Sequence, residues 1–361
     1  MRTITVFAAA FAFLLVASWS ATAVAEVGVS RYLRDGTIKW ETKAEDITGE
    51  DFESITYAGL GKQNRGDIIF IDYKNNIEFN RGEDQFDGGE FRAAIQSYEK
   101  AMEGGKQFWV QPYSMFRIAQ SYWYMGQHDK AIEWYEKLLK EQPNSPFLGQ
   151  ASCELAENYI IKGKLDKAEP LLKTTYANRK LQVCWIDKAN YLMGRMLVTK
   201  KDFRTARSHI NGVVRRMEYE DIKQNTRMLL GECLETEAET SKDANAYKEA
   251  VKVYEEIAAE LNVRTLGRAQ ANIARCLYNI KDFEKAYWYG LKAGLGYLDL
   301  DNGLASEGLY YAGISMLALY NAEKDPEKKR SLGANIKLIR GIFERKLFGL
   351  PLTTKALADL K

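Results

Sequence analysis

Across residues 126–146, "GQHDKAIEWYEKLLKEQPNSP", the apolar positions Ala131, Tyr135 and Leu138 stand four and then three residues apart among charged neighbours. Steps of four and three return to one face of an α-helix, so the segment predicts an amphipathic helix closed by Pro143. The same steps recur as Ala94, Tyr98 and Ala101, as Ala168, Leu172 and Thr175, and as Ala206, Ile210 and Val213. They recur again as Ala250, Tyr254 and Ile257, and as Ala286, Gly290 and Ala293. A small residue on an earlier helix precedes each of these alanines. Gly82 and Ala94 are 12 apart, and so are Ala119 and Ala131, Ala156 and Ala168, Gly194 and Ala206, and Ala274 and Ala286. Gly231 and Ala250 are 19 apart, and the surplus falls in the polar run "TEAETSKDANA".

Successive second-helix alanines are separated by 37, 37, 38, 44 and 36 residues. Turn signals fall between the two helices of each unit, at Gly88-Gly89, Gly126, Gly163, Lys201-Asp202 and Lys281-Asp282. A bulky residue follows most of them: Phe91, Leu165, Phe203, Tyr247 and Phe283. His128 occupies the equivalent place and reads as a packing residue. Each unit is therefore helix, turn, helix, in which the small residue lets two backbones approach and the large one fills the gap between neighbours. The predicted fold is mainly α: six such units over residues 76–293, then a looser seventh unit and capping helices over 294–361. Gly313 opens that last part, and Ala334, Leu338 and Gly341 close it after the charged insertion "NAEKDPEKKRS".

This grammar resembles the tetratricopeptide repeat, most closely in "MFRIAQSYWYMGQHDKAIEWYEKLLKEQPNSP", where Ile118, Ala119, Tyr122, Ala131, Tyr135 and Pro143 fall at signature spacing. The "PNSP" junction leading into "CELAENYIIKG" is similar to tetratricopeptide proteins of the bacterial cell envelope. The resemblance implies an α-solenoid whose concave face binds a protein or peptide segment, with no cofactor. Three features depart from the pattern. The units exceed the usual length of about 34 residues, Gly290 stands where an aromatic is usual, and the lysine–asparagine clamp for a terminal carboxylate is not reproduced.

The chain ahead of the repeats has a different texture. "RYLRDGTIKWETK" carries Asp35-Gly36, a two-residue hairpin signal, followed by strict alternation of Ile38, Trp40 and Thr42 against Lys39, Glu41 and Lys43. "FESITY" and "DIIFIDY" read as further strands. Residues 27–74 are predicted to form a small antiparallel β module, compact enough for an SH3-like barrel, docked on the first helical pair. Residues 1–25 read as an export signal: Arg2 at the start, an apolar run from Val6 to Val16, and Ala23-Val24-Ala25 as a cleavage site. The expectation is an exported chain, periplasmic or secreted. The alternative is a retained anchor, since Ile4 to Ala25 carries no charge, and only then would the chain associate with a membrane.

Composition narrows the function. A formal net charge of +2 offers no broad basic field for nucleic acid. Only two histidines, His128 and His209, are present, and no H-E-x-x-H, G-x-S-x-G or Rossmann fingerprint appears. "GLGKQ" at 59–63 lacks the first glycine and the closing Ser/Thr of a phosphate loop, and "DLDNG" at 299–303 lacks the glutamate of a calcium loop. Cys153, Cys184, Cys233 and Cys276 lie far apart without metal spacing and read as small buried helix residues. No enzyme and no metal site are expected. The candidate site is a groove formed by first-helix residues not spent on packing. Helical spacing sends Phe79, Phe86, Tyr113, Phe116, Trp123 and Tyr124 toward it, then Tyr191, Arg195, Arg268, Arg275 and Tyr278. Aromatics would supply apolar burial, and Arg195, Arg268 and Arg275 would orient acidic groups of the ligand. Two other readings stand beside this one: a self-assembling element, with "IKLIRGIFERKLFGLPL" as an end instead of a cap, and a binder of envelope glycan.

Overall fold

A left-handed residue marks the turn inside each of the first six helical pairs. The computed structural model describes residues 27–43, 47–58 and 60–360, so the expected export signal lies outside the described residues. Gly89, Gly126 and Gly163 sit at φ 75°, 70° and 70°, and Lys201, Lys242 and Lys281 at 60°, 56° and 65°. At Gly126 the amide donates to Trp123 O at 2.9 Å, and the next amide, Gln127, reaches back to Tyr122 O at 2.9 Å. The same pair of bonds recurs at Gly89, Gly163, Lys201 and Lys281. It satisfies helix-end carbonyls and aims the chain into the second helix.

Among the described residues there are six strands and 15 helices. The strands are β1 (Val27–Tyr32), β2 (Ile38–Lys43), β3 (Ile47–Glu50), β4 (Ser54–Tyr57), β5 (Gly61–Asn64) and β6 (Ile68–Asp72). The helices pair as α1 (Ile77–Asp87) with α2 (Phe91–Gly104), α3 (Val110–Tyr124) with α4 (His128–Glu141), and α5 (Leu148–Ile161) with α6 (Leu165–Ala177). Next come α7 (Val183–Thr199) and α8 (Phe203–Val214), α9 (Glu220–Ser241) and α10 (Ala244–Ala259), and α11 (Val263–Asn279) and α12 (Phe283–Gly296). The last pair, α13 (Asn302–Ala322) and α14 (Pro326–Arg345), is followed by α15 (Thr353–Asp359). The chain divides into two compact units, one ending at Met193 and one beginning at Gly194. No helix among the described residues is long and apolar enough to cross a membrane.

In the first unit the strands form two three-stranded antiparallel sheets, ordered β2-β1-β6 and β3-β4-β5. Tyr32 pairs with Ile38, so the β1–β2 connection is the five residues 33–37, longer than the two-residue turn that Asp35-Gly36 predicts. Asp35 stabilises it by accepting from the Thr37 amide at 2.9 Å. The module has a charged centre. Arg65, 1% exposed, pairs with Glu50 and donates from Nε to Ile68 O at 2.9 Å, and the Tyr73 hydroxyl donates to Glu50 at 2.8 Å. Two sequence motifs are absorbed as structure. Lys62 of "GLGKQ" is a β5 residue whose ammonium meets Asp51 at 3.0 Å, and Asp301 of "DLDNG" caps α13 by accepting from the Leu304 amide at 3.0 Å.

The repeat grammar has a direct steric meaning. A Cβ on Gly82 would stand 2.5 Å from the Tyr98 ring, and one on Gly231 would stand 2.3 Å from the Tyr254 ring. The small residue is thus the floor on which the large second-helix residue lies, and Tyr98, Tyr135 and Tyr254 are fully buried there. Gly290, which replaces that large residue, belongs to a closer crossing. A Cβ there would meet Gly308 O at 2.7 Å, and one on Gly308 would meet Gly294 N at 2.6 Å, so α12 and α13 touch backbone to backbone.

The surplus between Gly231 and Ala250 is also explained. In the other pairs seven residues separate the first small residue from the left-handed one, and five more reach the alanine; here the steps are 11 and 8. The additions of four and three are each about one helical turn, which lengthens α9 and α10 without rotating their buried faces. At the chain's end Ile336, Ile339 and Phe343 of α14 join Leu347, Ala356 and Leu360 in a cluster against α13. The apolar side of "IKLIRGIFERKLFGLPL" is therefore turned inward as a cap.

Candidate functional site

The β module occupies part of the face expected to hold a ligand. Strand β6 lies at a sheet edge, and two side chains from the helical part satisfy its backbone. The Ile71 amide donates to the Tyr113 hydroxyl at 3.2 Å, and Gln182 donates from Nε2 to both Gly66 O and Ile68 O at 2.8 Å. Between these anchors the Phe70 ring meets Tyr113 edge-on at 5.1 Å and Phe147 at 6.0 Å, while Tyr73 stacks on Trp109 at 4.8 Å.

Three of the expected groove residues are sealed by this arrangement. Phe79, Tyr113 and Phe116 are no more than 1% exposed. Phe79 packs edge-on against Trp109 at 4.9 Å, Tyr113 against Phe147 at 4.6 Å, and Phe116 lies flat on Phe147 at 4.2 Å. Helical spacing set them apart from the small-and-large seam, yet Phe79 packs on Tyr98 at 5.3 Å and Phe116 on Tyr135 at 6.2 Å, and the surface that remains is filled by Trp109, Phe70 and Phe147. They are core residues, not ligand contacts.

Phe86, Trp123 and Tyr124 have a different setting. All three are half-buried at the C-terminal ends of α1 and α3, and Phe91 of α2 joins them. Tyr124 stacks on Phe91 at 5.2 Å with 7° between the rings and meets Phe86 and Trp123 edge-on at 5.5 and 5.0 Å. Aromatic rings grouped this way keep one apolar side in contact with each other and another toward solvent. Arg117 backs the shelf. Its guanidinium stands 4.5 Å from the Phe70 centroid and 4.7 Å from that of Phe86, and makes two hydrogen bonds with Glu83 at 2.9 and 2.7 Å. Burial opposes its charge, yet Glu83 and Tyr98 outweigh it and hold the group above its usual range. Nearby on α5, burial pushes the Glu154 carboxyl above the usual carboxylate range, although Tyr135, Gln150 and Gln120 all donate to it. His128 is spent on Asn158, with Nδ1 at 2.9 Å from Oδ1.

The remaining candidates fall to either side of the unit boundary. Tyr191 is half-buried with the Lys188 ammonium 5.2 Å from its centroid, and Arg195 is half-buried on the same helix. In the second unit Arg268 pairs with Glu232, and Arg275 pairs with both Glu235 and Glu307 while donating to Asn272 at 2.9 Å. Tyr278 packs against Phe283 at 5.6 Å and Tyr311 at 6.0 Å. Of the three arginines expected to orient a ligand's acidic groups, Arg268 and Arg275 are instead neutralised by carboxylates of the neighbouring first helices. Sequence reasoning missed those carboxylates because their partners lie 32 to 40 residues away. From the sequence alone Phe91 reads only as the bulky residue after a turn.

The four cysteines are free and buried. Burial pushes their thiols upward, that of Cys233 to about 11, which makes them poor nucleophiles.

Residues 112–180 match the family model for the tetratricopeptide repeat. With the repeated small-on-large seam and the recurring turn, that match supports a tetratricopeptide-type repeat fold for the helical part of the chain. Solved structures agree in fold. A tetratricopeptide repeat protein from Parabacteroides merdae aligns with TM-score 0.52 at 13% identity, over 78% of this chain and 97% of that one. The C-terminal part of a repeat-containing protein from Cytophaga hutchinsonii aligns with TM-score 0.51 at 15% identity, over 78% and 99%. A signal transduction ATPase with numerous domains from Pyrococcus horikoshii, which carries a tetratricopeptide repeat sensor, aligns with TM-score 0.53 at 19% identity, over 78% of this chain and 42% of that one. At these identities the likeness is one of fold alone. No curated protein sequence matches the chain.

Proposed function

We propose that the chain is a non-enzymatic protein-interaction scaffold of the cell envelope, and that it holds a peptide segment of its partner on the aromatic shelf of the first unit. The fold is one that serves protein–protein interaction. The observation that carries the reading is the partly buried cluster of Phe86, Phe91, Trp123 and Tyr124, since large aromatic side chains that keep some open surface are the usual anchors of binding surfaces. The reading is narrower than a groove running the length of the repeats. Phe79, Tyr113 and Phe116 have no open surface, and Arg268 and Arg275 are occupied by carboxylates of the chain itself. The expected export signal supplies the envelope context.

A photo-crosslinking amino acid at position 123 tests it in cells. Capture of one defined partner segment is expected, and the purified segment should bind at least tenfold more weakly to a variant carrying Phe86→Ala and Trp123→Ala with unchanged helicity. Equal binding by that variant would remove the shelf from the interaction. Localisation is checked separately by fractionating cells and by finding Glu26 as the first residue of the processed chain.

A further inference from the structure

The turns after α12 and α14, tied together at one edge of the second unit, and the exposed α12 face that runs into the first of them carry apolar and basic side chains that the protein-binding reading does not use. Trp288 and Leu295 lie seven residues apart on α12, hence on one face, and are 55% and 53% exposed. Lys292 stands between them. The turn after α12 presents Leu300 at 79% exposure, and the turn after α14 presents Phe348 at 81%. The Lys346 ammonium meets Asp299 at 3.4 Å, which ties these two turns together. Arg345, also exposed, has no carboxylate partner among the described residues. From Pro326 to Lys355 there are eight lysines and arginines against two glutamates, in a chain whose net charge is only +2, while Asp299 and Asp301 flank Leu300. The apolar side of α14 is buried against α13, which holds that helix in place.

We propose that this edge is a docking surface for an anionic phospholipid bilayer, with Trp288, Leu295, Leu300 and Phe348 entering the interfacial zone and Lys292 and Arg345 meeting headgroup phosphates. The shape favours lipid over a folded partner. The four apolar side chains project from a helix face and two separate turns, so a protein would need a pocket for each, whereas a bilayer interface accepts projecting side chains without one. Tryptophan and phenylalanine flanked by lysine and arginine suit the boundary between headgroups and hydrocarbon. Each cation near an anionic leaflet adds attraction that salt screens.

The four native cysteines are buried, so Leu300→Cys can be labelled selectively with an environment-sensitive dye in the full chain. The dye should shift to the blue on vesicles of three parts phosphatidylglycerol to seven of phosphatidylcholine, stay unshifted on pure phosphatidylcholine, and return toward its free spectrum in half-molar salt. A label at Phe348→Cys should behave the same way. One at Lys140→Cys, on α4 of the first unit, should not move, which separates this surface from any hold exerted by the apolar N-terminal run. Lys292→Glu together with Arg345→Glu should weaken partitioning by tenfold or more. The proposal is overturned if neither edge label responds to anionic vesicles, if Lys140→Cys responds equally, or if the charge reversals change nothing. It is also overturned if the response follows heparin or protein concentration without lipid, which would assign the edge to a polyanion or to a second copy.

Discussion

The first helices of both units carry an ion pair from helix to helix, Glu83 with Arg117 in the first and Glu235 with Arg275 in the second, but they differ in what fills the rest of their spare surface. In the first unit that surface is aromatic and is largely covered by the chain's own β6, with Phe70 set between the Arg117 guanidinium and the Tyr113 and Phe147 rings. In the second unit it is charged and crosses from helix to helix, Glu232 to Arg268 and Glu235 to Arg275 to Glu307. The same helical pair thus supports two surface chemistries, because the seam that joins the two helices uses only the small and large residues shared by the repeats. What is left over is free to vary. An apolar remainder needs cover, from the β module or from a partner, while a polar remainder stabilises itself by pairing.

The largest effect expected from this contrast is on stability. Tyr113→Ala removes a fully buried ring that also accepts from Ile71, and should cost about 3–5 kcal/mol by urea denaturation. Arg275→Ala should cost about 2 kcal/mol, because Glu235 loses its cation while the arginine side chain is already a quarter exposed. If the two changes proved equal, the distinction between a sealed aromatic face and a self-paired charged one would fail.

Acid should sharpen the contrast through two glutamates whose folded pKa values move in opposite directions. Burial raises Glu154, which has no cation partner among the described residues; protonated Glu154 therefore favours the fold, and that advantage is lost as pH rises through the raised value. Wild type should then lose stability relative to Glu154→Gln between pH 4 and pH 7. For Glu260, burial works upward, but Arg227 and Gln224 outweigh it and bring the value below the usual one. Its contribution is present above the unfolded pKa and is lost as pH falls through the depressed folded value. Glu260→Gln should therefore cost stability at pH 7 and approach wild type near pH 3. Urea midpoints across that range read both, and parallel profiles for the two variants would contradict the assignment.

The smallest effect lies in the turns. Gly126 takes its left-handed φ of 70° without a side-chain penalty, whereas Lys201 and Lys281 hold 60° and 65° with a Cβ present. Lys201→Gly and Lys281→Gly should each stabilise the chain by about 0.5–1 kcal/mol in thermal melts. A loss of stability would show that the lysine side chains, not the turn geometry, hold these positions.

Much of the fold could be read directly from residue spacing. The 12-residue interval from Ala119 to Ala131 and the four-then-three steps through Tyr135 and Leu138 report local helical geometry, and helical pairs stacked on neighbours need little more. The candidate site was legible only in part. Phe86, Trp123 and Tyr124 are partly buried, while Phe79, Tyr113 and Phe116, at equally plausible positions, are fully buried. The choice between them depends on Phe70, Gln182 and Phe147, which lie far away in sequence and reach these helices only when the chain folds.

The chain's order of residues by itself determined the helical pairs, their left-handed turns and the small-on-large seam, because each depends on neighbours within a few helical turns. Only the tertiary structure decided which spare side chains stay open, since that depends on what another segment places above them. A helix period assigns a residue to a face; contacts between distant segments decide whether that face meets solvent, a β strand or a carboxylate.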